Sequence, residues 1–93
     1  MGLSFYPKIS PNVIKRYESS IDQYFFYNAK NKTFWNCDST LGMIVSCFDG
    51  SLCYGEILNI IYENNPETDK EEILKRLKEI IDFLLKEGFI YET

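Results

Sequence analysis

The chain is predicted to be an α+β domain, a three-stranded antiparallel sheet followed by three helices. Three observations predict it. Short aromatic and β-branched runs fill the sequence up to about Asp38. From Ser39 onward the apolar residues recur at helical spacing. Polar or Gly/Pro breaks punctuate the runs, and 93 residues fit one domain, taken as positions 1–93, with no room for a second core.

The leading segment, residues 1–11, is expected to be extended or irregular because Pro7 and Pro11 each remove a donor and fix φ. Val13–Tyr17, Gln23–Tyr27 and Thr33–Cys37 then read as the three strands. The first two are separated by Glu18-Ser19-Ser20. The second and third are joined by a turn over Asn28-Ala29-Lys30-Asn31-Lys32.

Asp38 or Ser39 can cap a first helix over Thr40–Phe48, burying Leu41, Ile44, Val45 and Phe48 and stopping at Asp49-Gly50. A second helix covers about Tyr54–Glu63, with Ile57, Leu58, Ile60 and Ile61 inward, and Asn64-Asn65-Pro66 ends it. The third helix starts at Thr68 or Asp69, carries Glu71 and Glu72 in its first turn and ends at Gly88. Its apolar residues spread over about 200° of circumference, more than one core-facing stripe needs. Ile73, Leu77, Ile80 and Leu84 form the centre. Leu74, Ile81 and Leu85 lie on one flank with Lys78, and Phe83 lies on the other with Arg76. Either both flanks pack against neighbouring elements or one of them lines a groove. Phe89-Ile90-Tyr91 closes the chain as a short strand or extended tail.

Composition narrows the function. Hydrophobic residues at 45% and charged residues at 26% are those of a folded protein rather than a disordered one. No apolar run is long enough to span a bilayer, and MGLSFYPKIS lacks a secretory signal core, so a cytoplasmic location and no membrane partner are expected. Gly2 is a weak myristoylation signal, since Tyr6 stands where Ser or Thr is preferred. Cys37, Cys47 and Cys53 form no CxxC pair and there is no histidine, so neither a metal site nor a disulfide set is expected. The lack of histidine also removes the common acid–base and Ser/His or Cys/His arrangements, and no glycine-rich phosphate loop is present. The carboxylates fall on polar helix faces as partners for lysines. A non-catalytic protein without cofactor is expected. Ten Lys and Arg against fourteen Asp and Glu give a net charge of −4, opposite to the basic excess of a dedicated duplex binder.

The segment Cys37–Gly50 resembles the PqqD-like family. Its pattern here is Leu-Asn-x-Thr, a small residue, Ile, a bulky pair, then Asp-Gly, and Thr40, Ile44, Phe48, Asp49 and Gly50 fall on it. Glu56-Ile57 match an acidic-Ile pair, and Leu77, Ile80-Ile81, Leu84, Gly88 and Phe89-Ile90 resemble the family's ending. The likeness runs from about Val13 to Tyr91. Cys37, Asp38, Val45, Cys53 and Arg76 depart from it, standing where Leu, Asn, Trp, Ser or Thr, and an acidic residue are usual.

The resemblance implies a winged-helix-like fold of the kind called a RiPP recognition element, which binds the leader region of a ribosomally made precursor peptide. Its partner would be a maturation enzyme such as a radical SAM protein, cyclase, dehydratase or leader peptidase. A chain running from Met1 to just past the last motif is expected to be a stand-alone version. The family's docking edge corresponds to the third strand, Thr33, Phe34, Trp35, Asn36 and Cys37, with the third helix as groove wall. Unpaired strand groups would accept an added strand. Leu74, Ile81 and Leu85 are taken as apolar contacts, and Lys75 and Lys78 as partners for acidic leader residues. Trp35 fits either the core or the groove. The alternative is a winged-helix nucleic-acid binder inserting the third helix into the major groove with Lys70, Lys75, Arg76, Lys78 and Lys86.

Overall fold

The computed structural model describes residues 5–93; the Gly2 signal lies outside them. Aromatic and β-branched residues build a meander of three strands, β2 (Val13–Glu18), β3 (Gln23–Asn28) and β4 (Thr33–Asp38), antiparallel in the order β2-β3-β4. Phe26 faces Trp35 and Tyr24 faces Cys37 in the β3–β4 register, so one sheet face carries Tyr24, Phe26, Thr33, Trp35 and Cys37 toward the helices. Phe26 is wholly buried on that face. The opposite face carries Ile14, Phe25, Tyr27 and Phe34 and is covered by no other element among the described residues.

Three helices follow: α1 (Ser39–Ser46), α2 (Tyr54–Asn64) and α3 (Lys70–Lys86). Asp38 caps α1 by accepting from the Leu41 N–H at 2.9 Å. Cys53 supplies no Ser or Thr hydroxyl to start α2, but Glu56 accepts from the Cys53 N–H at 3.0 Å, which is one half of a capping box. Asp69 caps α3 through the Glu71 N–H. At the far end of α3, Gly88 adopts φ 75°. The Phe89 N–H then bonds the Leu84 carbonyl and the Gly88 N–H the Leu85 carbonyl, the paired bonds of a Schellman stop.

The architecture agrees with the α+β, winged-helix-like expectation of three strands and then three helices. Four details differ. The leading segment is not irregular throughout: β1 (Pro7–Ile9) pairs antiparallel with β5 (Ile90–Glu92), the closing strand. Pro7 is tolerated as the first residue of a two-stranded ribbon, where its missing N–H breaks no ladder. This ribbon also grips the Asp49-Gly50 turn through Ile9 N–H to Phe48 O and Gly50 N–H to Pro7 O. The first helix ends at Ser46, two residues short of Phe48, which is buried just beyond the helix. The inner face of α2 comprises Tyr54, Ile57 and Leu58 with Ile61 half-buried against the core, whereas Ile60 is 40% exposed. On α1, Leu41 and Ile44 are half-buried rather than fully covered.

The core joins Phe26 and Cys37 of the sheet to Val45, Phe48, Tyr54, Ile57, Leu58, Ile73, Leu77, Ile81, Leu84, Phe89 and Ile90. Gly42 lets α1 lie directly on the sheet, since a Cβ there would fall inside the Tyr24 ring.

Candidate functional site

The site begins with an incomplete hydrogen-bonding ladder. Among the described residues β4 pairs only with β3, so every second residue of β4 directs its N–H and C=O outward, away from the sheet.

A wall stands beside this edge. The turn between β3 and β4 is fastened to the C-terminus of α3, where Asn28 Nδ2 donates to the Glu87 carbonyl at 3.0 Å and Asn31 Nδ2 to the same oxygen at 2.9 Å. Asn28 is 2% exposed, and its Oδ1 accepts from the Lys30 and Asn31 N–H groups, so both polar atoms of its amide have partners. At the other end of β4, Asp38 borders a hollow of about 230 Å³ with Thr40, Leu41 and Ile44 of α1 and Ile73, Arg76, Leu77 and Ile80 of α3. Thr33 therefore starts near the end of α3 and Asp38 finishes near its beginning. The two ends of the strand thus lie toward opposite ends of the helix. Ile73 and Leu77 form a buried floor, and Ile80 and Arg76 rise from it. Farther along the same flank Phe83 is 40% exposed.

The flank that meets the sheet is thus the one bearing Arg76 and Phe83, not the one bearing Leu74 and Lys78. The reason is the position of α2. Lys70 Nζ lies 5.4 Å over the Tyr62 ring, and the Tyr54 pKa is raised by burial, with smaller effects of Tyr62 and Asp82. The Lys70–Tyr62 contact sets α2 against the Leu74 side. Ile81 is wholly buried in the core. Leu85 packs on the core, while Leu74 is exposed away from the hollow. Lys75 projects opposite the buried stripe, and Lys78 sits on the Leu74 flank. The cation at the groove is Arg76. Its ion pair with Glu72 at 3.1 Å is solvent-exposed on both sides and holds it only weakly.

The β4 side chains divide by parity. Thr33, Trp35 and Cys37 face the helices, and Phe34 and Asn36 face the bare side of the sheet. Phe34, 73% exposed, packs on Tyr27 with ring centroids 4.6 Å apart, on the sheet face turned away from the helices. Asn36 donates to Gln23 across the same far face. Trp35 lies 5.3 Å from the Phe26 ring and is half-buried, packed against the edge of the core. Burial, helped by the neighbouring Asp38 charge, pushes the Cys37 thiol up to about 11. Thr33 Oγ1 is buried without a hydrogen-bond partner among the described residues.

Among the described residues no three His, Cys, Asp or Glu side chains are grouped to hold a metal ion. The exposed surface of α3 intersperses Lys70, Lys75, Arg76, Lys78 and Lys86 with Glu71, Glu72, Glu79 and Asp82, so the positive charge is diluted by acids along the helix. No helix of the described residues is long and apolar enough to cross a membrane.

Comparisons with known proteins bear on the fold. The solved structure of TbiB1 in complex with the TbiA(beta) leader peptide superposes with a TM-score of 0.74, covering 89% of this chain and 93% of that one. At 18% identity the likeness is one of fold. No protein-family model matches the sequence, and no curated protein matches it.

Proposed function

We propose that this chain is a non-catalytic carrier that binds the leader region of a ribosomally made precursor peptide and presents it to a modifying enzyme. The leader adds as a fourth strand to the outer edge of β4, in the groove walled by Ile73, Arg76, Ile80 and Phe83 of α3. The observation that carries this reading is the unpaired β4 edge, whose leading turn is tied to the C-terminus of α3 and whose last residue, Asp38, borders an open hollow between α1 and α3. The fold shared with a protein solved in complex with a leader peptide supports it.

Magnitudes show why the groove matters as much as the edge. A six-residue guest strand forms about six new hydrogen bonds, at roughly 0.5–1.5 kcal/mol net each. Their sum of about 3–9 kcal/mol is comparable to the roughly 4–15 kcal/mol cost of immobilising a peptide. Backbone pairing alone therefore gives strand alignment without useful affinity, and register falls to the side chains. Burial of two or three apolar leader side chains, about 1.5–3 kcal/mol each, brings the complex to the micromolar range. Arg76 adds preference for an acidic leader residue at its position.

Calorimetric titration with a synthetic leader, taken from a short precursor reading frame beside the gene, tests this function. Micromolar or tighter binding that changes little between about 50 and 200 mM salt is expected. Absence of leader binding, or a steep salt-dependent affinity for duplex DNA instead, removes the proposal.

A further inference from the structure

A second cavity, of about 430 Å³, opens between α1 and α2. It is lined mainly by Met43, Ile44 and Cys47 of α1, Leu52, and Ile57 and Ile60 of α2. Its size is that of a small-ligand site. Its apolar lining stands at the surface: Met43 is 59% and Ile60 40% exposed. Neither side chain is needed to fill the core.

The cavity is not isolated. Thr40, Ile44 and Asn65 line both it and the hollow at the Asp38 end of the β4 groove. The two depressions form one trough that bends over this saddle from the strand edge to the α1–α2 cleft. A chain laid along β4 that leaves the sheet at Asp38, where the strand stops and α1 begins, passes over Thr40 and Ile44 into the cleft. We infer that the α1–α2 cavity is an anchor subsite of the same peptide site. It receives one bulky apolar side chain of the leader, aliphatic or aromatic, that lies just outside the strand-paired segment. The inference rests on the strand-addition reading and adds to it a recognition element that backbone pairing lacks. The occupant is a side chain of the same guest because the trough is continuous with the strand edge. The cavity also carries no charged side chain to hold a polar group, since its polar lining is confined to Thr40, Asn64 and Asn65 beside the Cys47 thiol.

Recognition then has two parts, a sequence-tolerant strand and a side-chain-selective anchor offset from it. Full burial of a Leu- or Phe-sized group changes affinity by about 10- to 100-fold.

The test uses the full chain and the tightest sequence selected from a displayed library of random 20-residue peptides. Backbone amides of Thr33–Asp38 and the methyl groups of Met43 and Ile60 are followed together by NMR during titration. Both sets are expected to shift. The double variant Met43→Gln/Ile60→Gln, neutral and at exposed positions, is expected to weaken binding by about tenfold or more while the β4 amides still respond at saturation. Replacing the peptide's anchor by Ala should give a similar loss, with little added in the double variant. If the β4 amides shift while the two methyls stay silent and the double variant binds within twofold, the anchor subsite is overturned and strand addition stands. If no selected peptide moves the β4 amides, both readings fall. Methyl shifts that follow protein concentration without peptide assign the cavity to a second copy of the chain and overturn the inference.

Discussion

Replacing Asn28 by Ala is expected to loosen the groove from the end opposite the proposed anchor. Asn28 is the only buried polar side chain among the described residues, and it joins two elements far apart in sequence. Its amide makes three hydrogen bonds: one to the Glu87 carbonyl at 3.0 Å, and two received from Lys30 and Asn31 at 3.0 and 3.3 Å. The Lys30 and Asn31 amides lie in an exposed turn and can bond water instead, and Glu87 keeps the bond from Asn31. No partner is left unsatisfied, so each of the three bonds counts only the lower part of its net worth, about 2 kcal/mol in all. In a domain of this size that lowers the melting temperature by about 8–16 °C. Urea unfolding followed by tryptophan fluorescence measures it, since Trp35 is on the strand that the clamp holds. Because Asn28 and Asn31 share one acceptor, Asn28→Ala and Asn31→Ala together should cost more than the sum of the two singles, by about 0.5–1 kcal/mol. A single-variant loss below about 0.5 kcal/mol, or strict additivity, would refute the idea that this clamp fixes β4 beside α3.

Three further outcomes follow from the same geometry. Gly42→Ala should destabilise by about 1–3 kcal/mol in thermal melts despite a gain in helix propensity, because its Cβ collides with the Tyr24 ring; a stabilised variant would contradict the close approach of α1 to the sheet. Arg76→Glu should weaken an acidic leader severalfold in calorimetry and leave stability within about 0.5 kcal/mol, whereas Lys78→Glu should change neither; the reverse pattern would return the groove to the Leu74 flank. The Cys37 thiol ionises near 9.0 when unfolded and is pushed up to about 11 when folded, so the native state keeps a proton that the unfolded chain loses. Stability relative to Cys37→Ala should then be level below pH 8 and fall as pH rises from about 9 to 11, by about 2 kcal/mol at most; a flat difference would contradict burial of this thiol.

The parts of the fold legible in the sequence were those with a strong period. Eight apolar residues on α3 and the acidic-to-glycine polarity of its ends gave its limits within a residue or two. The aromatic runs gave the three strands of the meander. The β1–β5 ribbon was not legible, because three-residue strands contain too little alternation and their pairing joins opposite ends of the chain. The choice of flank on α3 was also hidden. Leu74, Ile81 and Leu85 look as suitable for a groove as Ile73, Ile80 and Phe83 when the helix is considered alone. The side on which α2 packs decides between them, and the short Asn65–Asp69 connection does not reveal it. The edge strand itself was legible, but the parity of its side chains was not. Phe34 is as apolar as Trp35, and only the register with Tyr27 and Phe26 sends one to each face. Ile60 was placed inward from helical spacing, and its exposure is what opened the cavity between α1 and α2.

Amide hydrogen exchange along Thr33–Asp38, with and without a bound leader peptide, tests strand addition most directly. The account predicts that alternate amides, those directed away from β3, slow markedly on binding while their neighbours, already bonded to β3, change little. Peptide bound at saturation with those outward amides still exchanging as in the free protein would contradict it.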